Sequence, residues 1–128
     1  MMKIATWNLE RPNDSSKSRN TKIIESLNEV DADILILTET NTIINPGSAY
    51  TPFATTSVKL LNQPYYKEGE NRTTIWSKYP SNRFIETYDS FTSICIGIKT
   101  PFGDLNVSKV MSGKFAMTQT GTPYYTSP

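Results

Sequence analysis

An α/β fold is predicted by three features of this chain. Two short strands, Lys3–Asn8 and Asp33–Glu39, are apolar until their last polar residues. A helix with one apolar face separates them, and such a unit crosses over right-handedly to set its strands parallel and adjacent. Downstream, short apolar runs broken by Gly and Pro add further strands.

The elements follow in order. Lys3-Ile4-Ala5-Thr6-Trp7-Asn8 opens the chain as a strand, and the polar stretch Arg11–Ser18, with Pro12, is a loop. Ser16 or Ser18 caps a helix that runs to about Val30. Its residues Ile23, Ile24, Leu27 and Val30 share one face, with Lys22, Glu25 and Glu29 outside. Ile34–Leu37 is apolar at every position, the mark of a strand covered on both faces. Asn41–Pro64 reads as loop, with a short strand around Val58, Leu60 and Leu61. Tyr65–Arg72 turns about Gly69, Thr73–Trp76 is a strand stopped by Tyr79-Pro80, and Phe84–Tyr88 is another. Ser93–Ile98 is a clear strand, Thr100–Asp104 a turn, and Leu105–Val107 its hairpin partner. Beyond Ser108 no period is visible, and an irregular tail is expected.

A chain of 128 residues holds one core at most. Net charge is +1, so no strong field draws nucleic acid and any such binding rests on a local patch. Cys95 stands alone, which excludes an intrachain disulfide and fits a reducing compartment, so a cytoplasmic protein is expected. No segment approaches membrane-spanning length, and no membrane partner is expected. Histidine is absent, which removes the commonest general acid/base.

The crossover puts Asn8 and Glu39 together at the carboxyl ends of their strands, where ligands bind in open α/β sheets. Taken singly, Asn8 reads as a strand-end residue bonding loop backbone, and Glu39 reads equally as a solvated carboxylate or a metal ligand. As a pair, an amide and a carboxylate suit a hard divalent ion and the phosphate it polarises. Arg72, Lys67, Lys78 and Arg83 interleave with aromatic residues, either as a phosphate-tracking surface or as the solvent face of ordinary strands.

Four segments resemble the endonuclease/exonuclease/phosphatase superfamily of DNase I and exonuclease III-like hydrolases. They are Ile4-Ala5-Thr6-Trp7-Asn8, Asp33 to Thr40, Asn71 to Pro80, and Thr100 to Leu105. The resemblance covers residues 1–102 as a partial domain. It implies a four-layer α/β/β/α sandwich, here incomplete: the first sheet with its helix. It further implies a Mg²⁺ (or Mn²⁺) cofactor held by Glu39 with Asn8, a weaker phosphate contact at Arg72, and a phosphoester substrate, nucleic acid among the options. The family's Gly-Asp-x-Asn segment is spelled by Gly103-Asp104-Leu105-Asn106, but Thr100-Pro101-Phe102 precedes it, so it reads as a hairpin turn. The family's later Asp-His pair has no counterpart in this sequence.

Residues 103–128 resemble, in addition, the activation segment of NIMA-related serine/threonine protein kinases, in the strings Gly103 to Val110 and Thr118 to Pro128. There Asp104 would stand for the Mg²⁺-holding aspartate and Thr118 or Thr120 for phosphate acceptors. The expected function is a Mg²⁺-dependent phosphoesterase or nuclease-type domain with little or no turnover. The alternatives are a truncated or chimeric fragment acting as a binding or dimerising half-domain, and a relative of a protein kinase. Without a second sheet, several hundred Å² of apolar face would meet water at a cost on the order of ten kcal/mol. Self-association through that face is therefore expected.

Overall fold

The computed structural model of the protein describes residues 2–61, 65–110, 114–119 and 122–126. Strand β1 (Ile4–Asn8) leads into helix α1 (Lys17–Val30) and back into β2 (Ile34–Asn41). β1 and β2 are parallel with Ile4 beside Ile34 and Asn8 beside Thr38, as the crossover predicts. The helix begins where expected, but Ser16 does not cap it through its side chain. Its hydroxyl turns back to Asn13 Oδ1 at 3.2 Å, and its carbonyl accepts from Asn20 N. At the other end Asp31 takes a left-handed conformation and its N–H donates to the Leu27 carbonyl, closing the last turn.

β3 (Thr51–Ala54) and β4 (Glu70–Ser77) complete the first sheet in the order β1-β2-β4-β3, so β1 is an edge strand. β3 lies inside the stretch read as loop, because Pro52 hides the strand pattern and is tolerated only at a sheet edge. Val58–Leu61, expected as a strand, is a 3₁₀ helix instead. Val58 is buried in it, and four residues too short to reach a neighbouring ladder close on themselves.

A second sheet follows, β5 (Ser81–Ile85), β6 (Ser93–Thr100), β7 (Gly103–Val110), β8 (Lys114–Gln119) and β9 (Thr122–Thr126), in chain order and antiparallel throughout. The expected irregular tail is thus a set of strands over the described residues. Leu105, Val107 and Lys109 alternate inward while Asp104, Asn106 and Ser108 face outward, a period of two that is easily missed with a lysine in an apolar row. β8 and β9 need no apolar period, since ladder hydrogen bonds and Thr- and Tyr-rich sequence suffice to extend an antiparallel sheet.

Two clusters form the core. On one face of the first sheet, Leu35, Leu37 and Trp76 pack with Ile23 and Leu27 of α1 and with Leu9, Ile44 and Tyr50. On the other, Ile34, Ile36 and Ile75 meet Ile94, Ile96, Ile98, Leu105 and Val107 of the second sheet. The apolar face expected to lie open and drive self-association is therefore covered from within the same chain. One α-helix is present among the described residues, and no helical layer covers the second sheet's outer face. On that face Lys99 and Asp104 are exposed, and Cys95, Asn106 and Ser108 are half-buried. The result is mixed α/β, mostly strand, with two sheets and one helix. No helix among the described residues is long and apolar enough to cross a membrane.

Candidate functional site

Asn8 ends β1 directly beside Thr38, and Glu39 is the next residue of β2. Strand spacing and rise put the Asn8 and Glu39 Cα atoms about 6 Å apart. The two chains stay bonded past the ladder: Leu9 N donates to the Thr38 carbonyl at 2.9 Å, and Arg11 N to the Glu39 carbonyl at 2.8 Å. Asn8 is exposed, and its Oδ1 accepts from Glu10 N at 2.9 Å. The loop-bonding role and a free second lone pair coexist on that oxygen. Glu39 is half-buried with φ of 45°, a left-handed backbone that costs a non-glycine residue about 1 kcal/mol. Glu10 and Arg11 are left-handed too, at 57° and 58°.

Arg72 belongs to β4. It lies opposite Glu39, between the pairs Thr38–Thr73 and Thr40–Asn71. Its Nε is buried without a hydrogen-bond partner. Beyond Ile36 and Ile75 the rows of the inner face turn polar, with Thr38, Thr73, Thr40 and Asn71 all buried. Asn71 Nδ2 donates to Thr73 O and Thr74 Oγ1, both at 2.8 Å, while Asn71 Oδ1, Thr40 Oγ1 and Thr73 Oγ1 have no partner. Alongside, a cavity of about 250 Å³ opens between Thr55, Thr56 and the Phe84–Ile94 region. Lys109, 3% exposed, ends the inward row of β7 beside Ile94, and burial pushes its ammonium pKa down.

A network that sequence reasoning missed borders Glu39. Arg11 Nε donates to Glu70 Oε1 at 2.7 Å, and its Nη2 to Glu70 Oε2 at 3.0 Å and to the Tyr65 carbonyl at 2.8 Å. Lys67 N donates to Glu70 Oε2 at 3.0 Å, and Lys67 Nζ to the Arg11 carbonyl at 2.6 Å. Burial alone would raise the Glu70 pKa, but the bonds from Arg11 and Lys67 outweigh it and hold the carboxyl below its usual range. The bond to Glu70 raises the Arg11 pKa further, against burial, with Glu70 and Glu39 adding Coulomb attraction. Nothing in the sequence pairs Arg11 with a residue fifty-nine positions later, so only the fold reveals it.

Asp104 does not join this site. It follows the two-residue turn Pro101-Phe102, with Gly103 across from Thr100, near the opposite end of β6 and β7. Starting β7 at Gly103 puts Leu105 inward and Asp104 outward, exposed and across from Lys99. Thr118 lies in β8 across from Asn106, and Thr120 falls outside the described residues. The kinase-like string Gly103–Val110 is one continuous strand here, and no ion-holding cluster surrounds Asp104 among the described residues.

Among the described residues there is no group of three or more His, Cys, Asp or Glu side chains placed to hold a metal ion. Mg²⁺ is nonetheless commonly held by one or two carboxylates with water and substrate phosphate completing its shell. At this strand end Glu39 contributes one carboxylate and Asn8 one amide oxygen, which already accepts from Glu10 N.

No family model matches the sequence, and no curated protein matches it. Among solved structures, this chain is similar to a crystal structure of humanized D. rerio TDP2 carrying 14 mutations. The TM-score is 0.47 at 16% identity, over 97% of this chain and 44% of that one. The chain thus spans less than half the length of that structure.

Proposed function

We propose that this chain is a Mg²⁺-dependent phosphoesterase or nuclease-type domain, with weak or no turnover as these 128 residues. The observation that supports it best is that Asn8, paired with Thr38 at the end of β1, stands one residue from the left-handed Glu39 of the neighbouring strand. Glu39 would hold the ion and Asn8 would orient it or the phosphate. Arg72, directly opposite Glu39, would offset phosphate charge. When bound, the ion would polarise the phosphoryl group and lower the pKa of a coordinated water. The substrate class is a phosphoester, with a nucleic-acid backbone one instance of it.

Weak turnover follows from the side chains available. General acid/base help for a leaving oxygen is worth 10²–10⁴-fold, and histidine, its commonest source, is absent from the sequence. Glu70, another carboxylate nearby, is committed to Arg11. A second reading, phosphoryl binding without hydrolysis, is favoured by this same shortage of proton donors.

The test is a Mn²⁺ titration of the ¹⁵N-labelled chain. Paramagnetic broadening is expected at residues 8–11 and 38–40 and is expected to disappear in Glu39→Gln. Absence of localised broadening up to about 10 mM, above the range of weak oxygen-ligand sites, would end the metal reading.

A further inference from the structure

We propose that Arg11, with Glu70 as its positioning residue, receives a phosphoryl oxygen at this end of the molecule, a role separate from that of Arg72. The proposal deepens the phosphoester reading and rests on it. The guanidinium has three nitrogens, and two of them are already committed. Glu70 takes Nε and Nη2 in a fork, and the Tyr65 carbonyl takes Nη2 a second time. Nη1 is bonded to none of the described residues. The Arg11 side chain as a whole is 40% exposed while that of Glu70 is 12% exposed, so the anchor is the more buried of the two.

Each of those facts bears on what Arg11 can bind. An arginine held by a carboxylate along one edge has lost its rotamer freedom before any ligand arrives, so little ordering cost remains at binding. Its remaining N–H donors have fixed directions, which suits a tetrahedral oxyanion better than a mobile ammonium would. The backbone at Arg11 is fixed as well, by its N–H on the Glu39 carbonyl at 2.8 Å and its carbonyl under Lys67 Nζ at 2.6 Å. That ammonium adds a second positive charge and offsets Glu70, leaving the trio Arg11, Lys67 and Glu70 with a net charge of +1. Glu39, the proposed ion ligand, is bonded to the same residue through the backbone, so a phosphoryl group there would lie within reach of both.

The probe is inorganic phosphate, titrated into the full chain at pH 7 in EDTA, with the Arg11 Nε–Hε resonance and thermal unfolding recorded for every variant. Saturable binding with a shift of that resonance is expected. Arg11→Ala is expected to weaken phosphate affinity by about tenfold or more, the usual scale for a hydrogen bond to a charged group. Glu70→Gln keeps the cation but frees it, and about a threefold loss is expected from the lost orientation. Arg11→Lys is expected to lose affinity as well, since an ammonium cannot grip Glu70 and offer a second planar edge. Lys22→Ala, which removes one exposed positive charge on α1, is expected to stay within about twofold of the parent. The proposal is overturned if Arg11→Ala folds and binds like the parent, or if Lys22→Ala loses as much as Arg11→Ala. If Arg11→Ala does not fold, unchanged affinity in both Glu70→Gln and Arg11→Lys overturns it equally. Because the titration contains no free divalent ion, loss of Arg11 dependence ends this proposal alone. Missing Mn²⁺ broadening would end the metal assignment and leave the phosphate result standing.

Discussion

Glu70 shows how much one carboxylate can do when its neighbours are fixed. It accepts two bonds from Arg11 and one from the Lys67 backbone, and it ties the loop after β1 to the start of β4. Its pKa is lowered below the ordinary 4.5. A carboxyl depressed in the folded state stabilises the fold fully above its unfolded pKa and loses that contribution as pH falls through the folded value. Urea unfolding of Glu70→Gln against the parent is therefore expected to show a deficit of about 1 kcal/mol at pH 7. The deficit should shrink as the pH drops below the ordinary carboxylate range, and a gap that is constant from pH 7 to pH 3 would contradict the ion-pair account. Asn8 was legible at this scale as the polar end of an apolar strand, whereas β2 runs two residues past Glu39 to Asn41. Arg11 was not legible, because its partner comes from a distant loop and its left-handed backbone leaves no mark in residue type.

Among the elements, α1, β2, β4 and β6 follow from period and punctuation, since each buries apolar rows at the spacing its geometry requires, while β1 only half-buries Ile4 and Ala5. β3 and the 3₁₀ turn escaped because Pro52 breaks the strand pattern of one and an apolar cluster mimics a strand in the other. The 65–70 turn is the element on which the candidate site leans most. Gly69 there has φ of 79°, and a Cβ on it would sit 2.5 Å from both Asn41 Oδ1 and Thr42 Oγ1. Asn41 cannot step aside cheaply, as its Nδ2 is held by the Glu68 carbonyl at 2.7 Å and its Oδ1 accepts from Ile43 N. Gly69→Ala is expected to cost about 2–3 kcal/mol in urea unfolding, from the left-handed penalty and overpacking together. It should also broaden the Arg11 Nε–Hε signal, because the turn positions Glu70. A silent substitution would show that the turn is loosely held.

For the whole molecule, the second sheet decides the outcome. Its inward isoleucines cover Ile34, Ile36 and Ile75, so two runs of alternating residues far apart in the chain share one apolar layer. Ile36→Ala and Ile96→Ala are each expected to cost about 2–5 kcal/mol, with a coupling between them of about 0.5 kcal/mol or more. Strict additivity would mean the sheets do not share that layer. The sequence made the first sheet's buried face plain but not what lay against it, since an inner row that ends in a lysine resembles a surface strand. Among the described residues, no strand pairs with the outer side of β1. In a parallel pair alternate residues address the neighbour, and Leu9, with its N–H on Thr38, fixes which ones do. Ala5 and Trp7 thus aim their amides at β2, while those of Ile4, Thr6 and Asn8 point away from every described strand. In heavy water the first strand should therefore lose its protons in a comb, every second tooth vanishing within the dead time and the others persisting for as long as the fold itself.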